Sequence, residues 1–576
     1  MAVRLNRNSI LVYSRQERLL RIGLVLGLVI GIVIGSVATV GVSVAAEPVE
    51  APRLKWQWGG CFADWCETGW YSSPAVADLD GDGRPEVIAS GYSVFSLDGP
   101  TGALEWRVAA GKDRGVPFQR NEWRTYPGII LSDLDNDGQL EIVTGHDGGF
   151  ISVYDHRGFF KPGWPQRPTT YEIFGLVAYD LDNDNRLEII ATADVRDPIN
   201  TWVYEPDGTL RPGWPQWVGG DDYAYGTFND NVAVGDVDGD GRGDIVVPSD
   251  INNIVAYHDD GRQLAANSIF RVPVWGLVNH WEDYSVEING GGRCSTSAPR
   301  WQRTVGNFER GAAVIADVDG DGITEVVSSG EIYDCAVTER RPSMYEGIYI
   351  FNADRSRFNR GGYDWRSPPL DTGAPLSEDF DVIRHIRPNP VVVDLDGDGE
   401  REILYPTFDG RLHAFWLDKT EHYNWPFVVT LPAEDGFRFA SEPVVADLNA
   451  DGHPEVIFTS WPEARSNLVG HLFILDYQGN LLHRIQLPPS WSTRPPDNWN
   501  GGLAAPTLAN IDADTELEAL INSAHSGVLA YDLPGTANAH ILWGTGRANY
   551  QRNAAVLNLN GLNDLTTHLP VILRAH

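Results

Sequence analysis

The sequence predicts an all-β chain arranged as an eight-bladed β-propeller, and three observations carry that prediction. An acidic nine-residue frame, Asp-x-Asp-x-Asp-Gly-x-x-Glu, recurs eight times in 576 residues. Each copy lies between two short, β-branched apolar runs, with no helical period around it. The frames begin 55, 47, 56, 81, 77, 53 and 63 residues apart, as expected of repeated sheets with connections of unequal length. The alternative is seven blades, with one frame lying in an insertion.

The frames run as follows. Loop 1 carries Asp78, Asp80, Asp82 and Glu86; loop 2, Asp133, Asp135, Asp137 and Glu141; loop 3, Asp180, Asp182, Asp184 and Glu188. Loop 4 carries Asp236, Asp238, Asp240 and Asp244; loop 5, Asp317, Asp319, Asp321 and Glu325; loop 6, Asp394, Asp396, Asp398 and Glu402. Loop 7 carries Asp447, Asn449, Asp451 and Glu455, and loop 8 Asn510, Asp512, Asp514 and Glu518. Carboxylates at positions 1, 3 and 5 of a tight turn converge on one side, and glycine at position 6 supplies φ > 0. With an acid at position 9 they form an all-oxygen donor set that suits several Ca²⁺ ions better than Mg²⁺ or Zn²⁺. The frame follows an EF-hand for five positions and then departs, since its last acid comes at 9 and not at 12. Asn185 stands at position 6 of loop 3, where Asn visits the left-handed region readily. Thr515 stands there in loop 8, and a β-branched residue resists φ > 0, so loop 8 is expected to be the weakest site.

The strands follow in order. Pro74–Ala77, Ile129–Leu131, Val232–Val234 and Pro390–Val393 precede their frames as first strands, and Glu86–Ala89, Glu141–Val143 and Asp244–Val247 follow as second strands. Phe150–Tyr154 and Ile254–Tyr257 read as third strands before Gly-containing turns, and a fourth strand closes each unit. Pro162-Gly163-Trp164-Pro165-Gln166 and Pro212-Gly213-Trp214-Pro215-Gln216 occupy the same place in two units and read as outer-strand packing elements. Closure of the ring is expected between Lys55–Trp58 and the last unit near His540–Trp543, with Gly544 onward as a tail.

On these residues the chain resembles the calcium-binding β-propellers of the FG-GAP/VCBS repeat class, which are related to the propeller of integrin α subunits. The resemblance spans roughly residues 55 to 545, and the acidic loop is its specific part. The Phe-Gly/Gly-Ala-Pro signature of integrin repeats is absent, so the resemblance carries no integrin function. It implies a propeller at 47–548 and a C-terminal tail at 549–576.

The N-terminus supplies an address. Arg4, Arg7, Arg15, Arg18 and Arg21, in a basic segment 1–21, precede an uncharged apolar stretch from Ile22 to Ala46. As a helix that stretch is about 37 Å long, enough to span a bilayer with the propeller outside. The other reading is a cleaved signal peptide, for which Ser43–Ala46 offers small residues. Both export the propeller, as a membrane-anchored surface domain or a secreted one. All four cysteines, Cys61, Cys66, Cys294 and Cys335, follow the apolar stretch, and an even number outside the cell predicts disulfides. Topology favours Cys61–Cys66 and Cys294–Cys335.

The formal net charge of −35 argues against a nucleic-acid partner. Arg242-Gly243-Asp244 spells an adhesion tripeptide, but Asp244 is committed to position 9 of loop 4. No Gly-x-Ser-x-Gly, His-Glu-x-x-His or phosphate-binding glycine loop occurs, so no catalytic residue is assigned. Function is expected on the face opposite the acidic loops, where long aromatic segments gather. Tyr223, Tyr225, His280 and Trp281 are the candidate ligand residues there, for an extracellular glycan or protein. Some calcium-rich propellers are polysaccharide lyases, so the alternative is an extracellular lyase, with His280, Tyr284 or His385 as base. A second alternative is a structural surface-layer component.

Overall fold

Short β-branched runs bury both faces when sheets stack on sheets, and Gly-Asp turns end them. In the computed structural model this gives eight radial sheets around one axis. The structure describes residues 48–556, except 63–64, 68, 70, 120–122, 194–198, 218–230, 250–252, 277, 279–283, 290–303, 309, 335–342, 370–375, 377–388, 433, 435, 465 and 494–496. The stretch 22–46 therefore lies outside the described residues. Among those described, no helix is long and apolar enough to cross a membrane.

The innermost strands of blades 1 to 8 are Ala75–Ala77, Ile130–Ser132, Ile173–Tyr179, Ala233–Gly235, Ala313–Ala316, Val391–Val393, Val444–Asp447 and Thr507–Ala509. Each pairs antiparallel with the strand beyond its acidic loop, so all eight loops lie on one face. The turns between second and third strands, and the segments from one blade to the next, lie on the other. Blades 2 and 4 have three regular strands each. In blade 2 the outer edge is the segment Lys161–Gln166, whose Pro162 and Pro165 cannot donate ladder bonds.

Seven tryptophans latch seven of the eight blades, blade 8 and blades 1 to 6, each to the next. Each donates its indole N–H to a backbone carbonyl of the following blade: Trp56 to Gly99 (2.8 Å), Trp106 to His156 (2.9 Å), Trp164 to Pro206 (2.9 Å) and Trp214 to Asp259 (3.0 Å). Trp275 to Ala353 (2.8 Å), Trp365 to Leu417 (2.7 Å) and Trp425 to Tyr477 (3.0 Å) continue the series. The expected packing role of the Pro-Gly-Trp-Pro segments is therefore seen. A buried ring with its one polar atom satisfied adds apolar contact at little polar cost.

Closure differs from the sequence expectation. Arg53–Trp58 pairs with Gly527–Leu533, not with residues 540–543, and so supplies the fourth strand of blade 8. His540–Trp543 instead pairs with the innermost strand of blade 7, which takes it into the axial channel. The stretch after Gly544, expected as a tail, lines that channel as far as Val556. The Gly544 carbonyl accepts the N–H of Leu508; those of Tyr550, Gln551, Asn553 and Ala554 accept the N–H groups of Leu131, Ala178, Val234 and Ile315. Inner strands have N–H groups facing the axis with no further strand to pair them, and this segment satisfies them. The plug enters at the acidic-loop face, because His540 lies opposite Asp447. It leaves there too, because Ala555–Val556 runs parallel to Ala313–Ala316. Residues 557–576 of the expected tail lie outside the described residues.

One buried histidine gives blade 6 a pH dependence. His413 presents Nδ1 to Glu421 (3.0 Å) and Nε2 to Asp409 (3.1 Å). Burial alone would lower its pKa, but the two carboxylates outweigh it and raise it from 6.5 to about 9. A raised folded pKa stabilises most below the unfolded value of 6.5, and the contribution is lost as pH rises through about 9. His413→Gln is expected to cost about 3 kcal/mol at pH 6. Urea unfolding of both proteins should show that gap narrowing above pH 9; a constant gap would count against the charged imidazole.

Candidate metal centres in the acidic loops

The eight loops share one hydrogen-bond frame. The acid at position 9 opens the second strand, and its outer oxygen accepts the N–H of position 2: Glu86 from Leu79 at 2.7 Å, Glu402 from Leu395 at 2.7 Å, Glu455 from Leu448 at 2.8 Å. Glu141, Glu188, Asp244, Glu325 and Glu518 do the same at 2.9–3.1 Å. In loops 1 to 7 the aspartate at position 1 accepts the N–H of position 6, as from Gly83 to Asp78 (2.9 Å). Position 6 has positive φ in all seven, from 66° at Asn185 to 93° at Gly399, as the sequence predicts.

Position 4 is left-handed as well, at Gly81, Asn136, Asn183, Gly239, Gly320, Gly397 and Ala450. The sequence reading overlooked this, although Gly or Asn at six of the seven positions is its signal. In loop 8 neither Ala513 nor Thr515 adopts positive φ, and Asn510 instead donates its amide to the Asp514 carbonyl. Loop 8 thus departs from the frame where the β-branched residue stands.

These bonds aim oxygens inward. In loops 1 to 4, the oxygens at positions 1, 3 and 9 lie within 4.8 Å of one another. The aspartate at position 5 sits toward solvent, its Oδ1 occupied by the N–H of position 7, as Asp82 is by Arg84 at 2.8 Å. The position-9 acids are buried, and burial, added to by neighbouring aspartates, pushes their pKa up: to about 9 for Glu402, and about 8 for Glu86 and Glu455. Glu402 is 1% exposed, and its Oε1 faces loop 6 with no hydrogen-bond partner. The inner oxygens Asp135 Oδ1, Asp182 Oδ1 and Asp396 Oδ1 are likewise buried without one. A hard cation bound by oxygens would satisfy these atoms, so the donor set fits Ca²⁺ on chemistry and orphaned oxygens alike.

The remaining sequence-predicted residues fall elsewhere. Cys61 and Cys66 face one another across a two-stranded hairpin, Cys61–Phe62 with Trp65–Cys66. Cys294, Cys335, Tyr223, Tyr225, His280, Trp281 and His385 lie outside the described residues. Tyr284 precedes a single helical turn, Ser285–Ile288. Other aromatics near the connections between blades are core: Tyr126 and Phe439 are 1% exposed, and Trp499 is fully buried. A half-exposed cluster lies on the face opposite the loops. Trp123 packs tilted against Phe150 (4.8 Å, 32°), with Lys112 and Arg167 over its ring at 5.1 and 6.0 Å from the centroid.

Residues 133–191, 180–247 and 394–458 match the family of FG-GAP-like repeats, each match running from one acidic loop into the second strand of the next blade. No curated protein matches the sequence. Solved structures of similar shape include the V. cholerae biofilm matrix protein Bap1, at 13% identity over 84% of this chain and 92% of that one (TM-score 0.43). BamB from Moraxella catarrhalis matches at 12% identity over 81% of this chain and 99% of that one (TM-score 0.39). Saccharomyces cerevisiae Sqt1 matches at 12% identity over 84% and 100% (TM-score 0.45).

Proposed function

Starting from a chain that is an FG-GAP-repeat β-propeller, we propose that it is an extracellular, calcium-stabilised binding module that holds a glycan or protein through the face opposite its acidic loops. The Trp123 cluster carries this reading. An aromatic face beside Lys112 and Arg167 can stack on a sugar ring and pair with an acidic group on it, or anchor a protein side chain. The geometry of the ends supports it. The outer strand Arg53–Trp58 starts at the acidic-loop face, and the plug leaves at that face, so a tether at either end leaves the opposite face open. Tyr223 and Tyr225 stand in sequence between Trp217 and Ala233, and His280 and Trp281 between Tyr257 and Ala313; all four are outside the described residues.

The test is a screen of the purified protein against immobilised glycans and candidate surface proteins, with Trp123→Ala and a triple Tyr223→Ala, Tyr225→Ala, Trp281→Ala variant in parallel. Binding to an identified partner should fall at least tenfold in one of these folded variants. Unchanged binding in both would overturn the assignment of the face. Release of an unsaturated sugar product during the screen would replace the binding reading with the lyase.

A further inference from the structure

The inner oxygen of the position-9 acid meets a different neighbour in different blades. In loop 2, Lys161 Nζ lies 2.7 Å from Glu141 Oε1 and 3.4 Å from Asp135. In loop 3, Arg211 reaches Glu188 Oε1 at 3.1 Å and Asp182 at 2.7 Å. In loop 5, Arg360 pairs with Glu325 Oε1 and lies 3.0 Å from Asp319. In loop 8, Lys55 lies 3.1 Å from Glu518 Oε1 and pairs with Asp512 and Asp532. A permanent cation thus sits among the carboxylates of four loops, and each comes from the outer edge or following turn of its own blade.

No Lys or Arg among the described residues pairs with Glu86, Glu402 or Glu455. At loop 1 the outer strand Leu104–Ala109 offers an acid, Glu105, which accepts a hydrogen bond from Ser96 (2.7 Å). At loop 6 the residue three before the latch tryptophan, which is Lys161 in blade 2 and Arg211 in blade 3, is His422. It stacks on Trp416 (4.3 Å), whose indole N–H donates to Asp396 of the loop (3.0 Å), and pairs with Asp418 (3.2 Å). At loop 7, Leu482 of the outer strand is apolar and exposed. Loop 4 is different again: its neighbour is His258, whose Nδ1 lies 3.2 Å from Asp244 Oδ1, and an imidazole is not a permanent cation as Lys and Arg are.

We infer that the eight loops divide into two electrostatic classes: loops 2, 3, 5 and 8 are partly neutralised by the chain's own Lys161, Arg211, Arg360 and Lys55, and divalent ions bind at loops 1, 4, 6 and 7. The inference rests on reading the loops as divalent-cation sites. An ammonium or guanidinium bound to the inner oxygen of the position-9 acid and to the position-3 aspartate offsets part of the loop's charge and competes for two of the oxygens an ion would need, whereas Glu402 Oε1 has no such cationic neighbour among the described residues. The ring therefore carries both fixed and exchangeable neutralisation, and only the second responds to chelators.

Native mass spectrometry of the full chain in excess Ca²⁺ reads the division directly. One ion at each of loops 1, 4, 6 and 7 is expected. Lys161→Met and Arg360→Met should each add one ion, and Glu402→Gln should remove one. Should one variant fail to fold by circular dichroism, the other two carry the test. Ions at all eight loops of the unaltered chain, or an unchanged count in the folded Lys and Arg variants, would overturn the division. No bound ion at all would instead sink the metal reading on which it rests.

Discussion

Replacing Arg552 by methionine is expected to destabilise the propeller by about 4 kcal/mol or more. Its guanidinium is fully buried on the axis and donates to the carbonyls of Ile129 (2.9 Å), Ser73 (3.2 Å), Pro74 (3.1 Å) and Gly546 (2.7 Å) and to the Thr545 hydroxyl (2.7 Å). Methionine keeps much of the volume but leaves the buried carbonyls of Ile129 and Gly546 without this donor, at roughly 1–3 kcal/mol each before relaxation, while Ser73, Pro74 and Thr545 keep one other partner each. The site is shaped for the arginine: a Cβ on Gly128 would stand 2.6 Å from its Nε. Arg547 works in the same way on the other side, donating to Val232 (2.7 Å) and Ala313 (2.5 Å). Arg53→Met is the control, because that side chain is 68% exposed and pairs only with Glu50 (2.9 Å), a contact worth little. Unfolding midpoints in urea separate the two. Equal shifts for Arg552→Met and Arg53→Met would mean that the plug does not hold the ring together.

The fold was legible because its signals are local. An eight-fold acidic frame between short apolar runs announces a hairpin with a turn, and the count of frames is the count of blades. The left-handed positions of the loops were half legible: glycine at 6 was read, while Gly or Asn at 4 went unread. What sequence reasoning missed is contact between residues far apart in the chain. Nothing local to Gly544–Val556 marks it as a plug, since its pairing partners are spread over the inner strands of several blades. Its small residues around two arginines were a faint sign, because a solvated tail has no need of Gly544, Gly546, Ala548 and Ala554 at such density. Similarly, Lys161 and Arg211 each stand directly before Pro-Gly-Trp-Pro, yet only the folded blade brings them onto Glu141 and Glu188.

Removal of the proposed divalent ions is expected to have the largest single effect on stability. Without a cation, Glu86, Glu402 and Glu455 are buried acids beside aspartates, which either stay charged at a high desolvation cost or take up protons. Ligand linkage gives about 2.7 kcal/mol per site at a concentration a hundredfold above the dissociation constant. Several such sites in one cooperative ring translate into a fall in melting temperature on the order of 10 °C. Mg²⁺ should restore less of this than Ca²⁺, because it demands a tighter octahedral shell than these long oxygen-lined loops offer. Loops partly neutralised by Lys55, Lys161, Arg211 and Arg360 should keep their hairpins, so the chelated protein is expected to be loosened and not unfolded at room temperature.

The most direct test is differential scanning calorimetry of the same preparation in excess Ca²⁺, in a chelator, and in the chelator followed by Ca²⁺. The account predicts a melting temperature that drops on chelation and returns when Ca²⁺ is restored. A melting temperature identical in all three would contradict it.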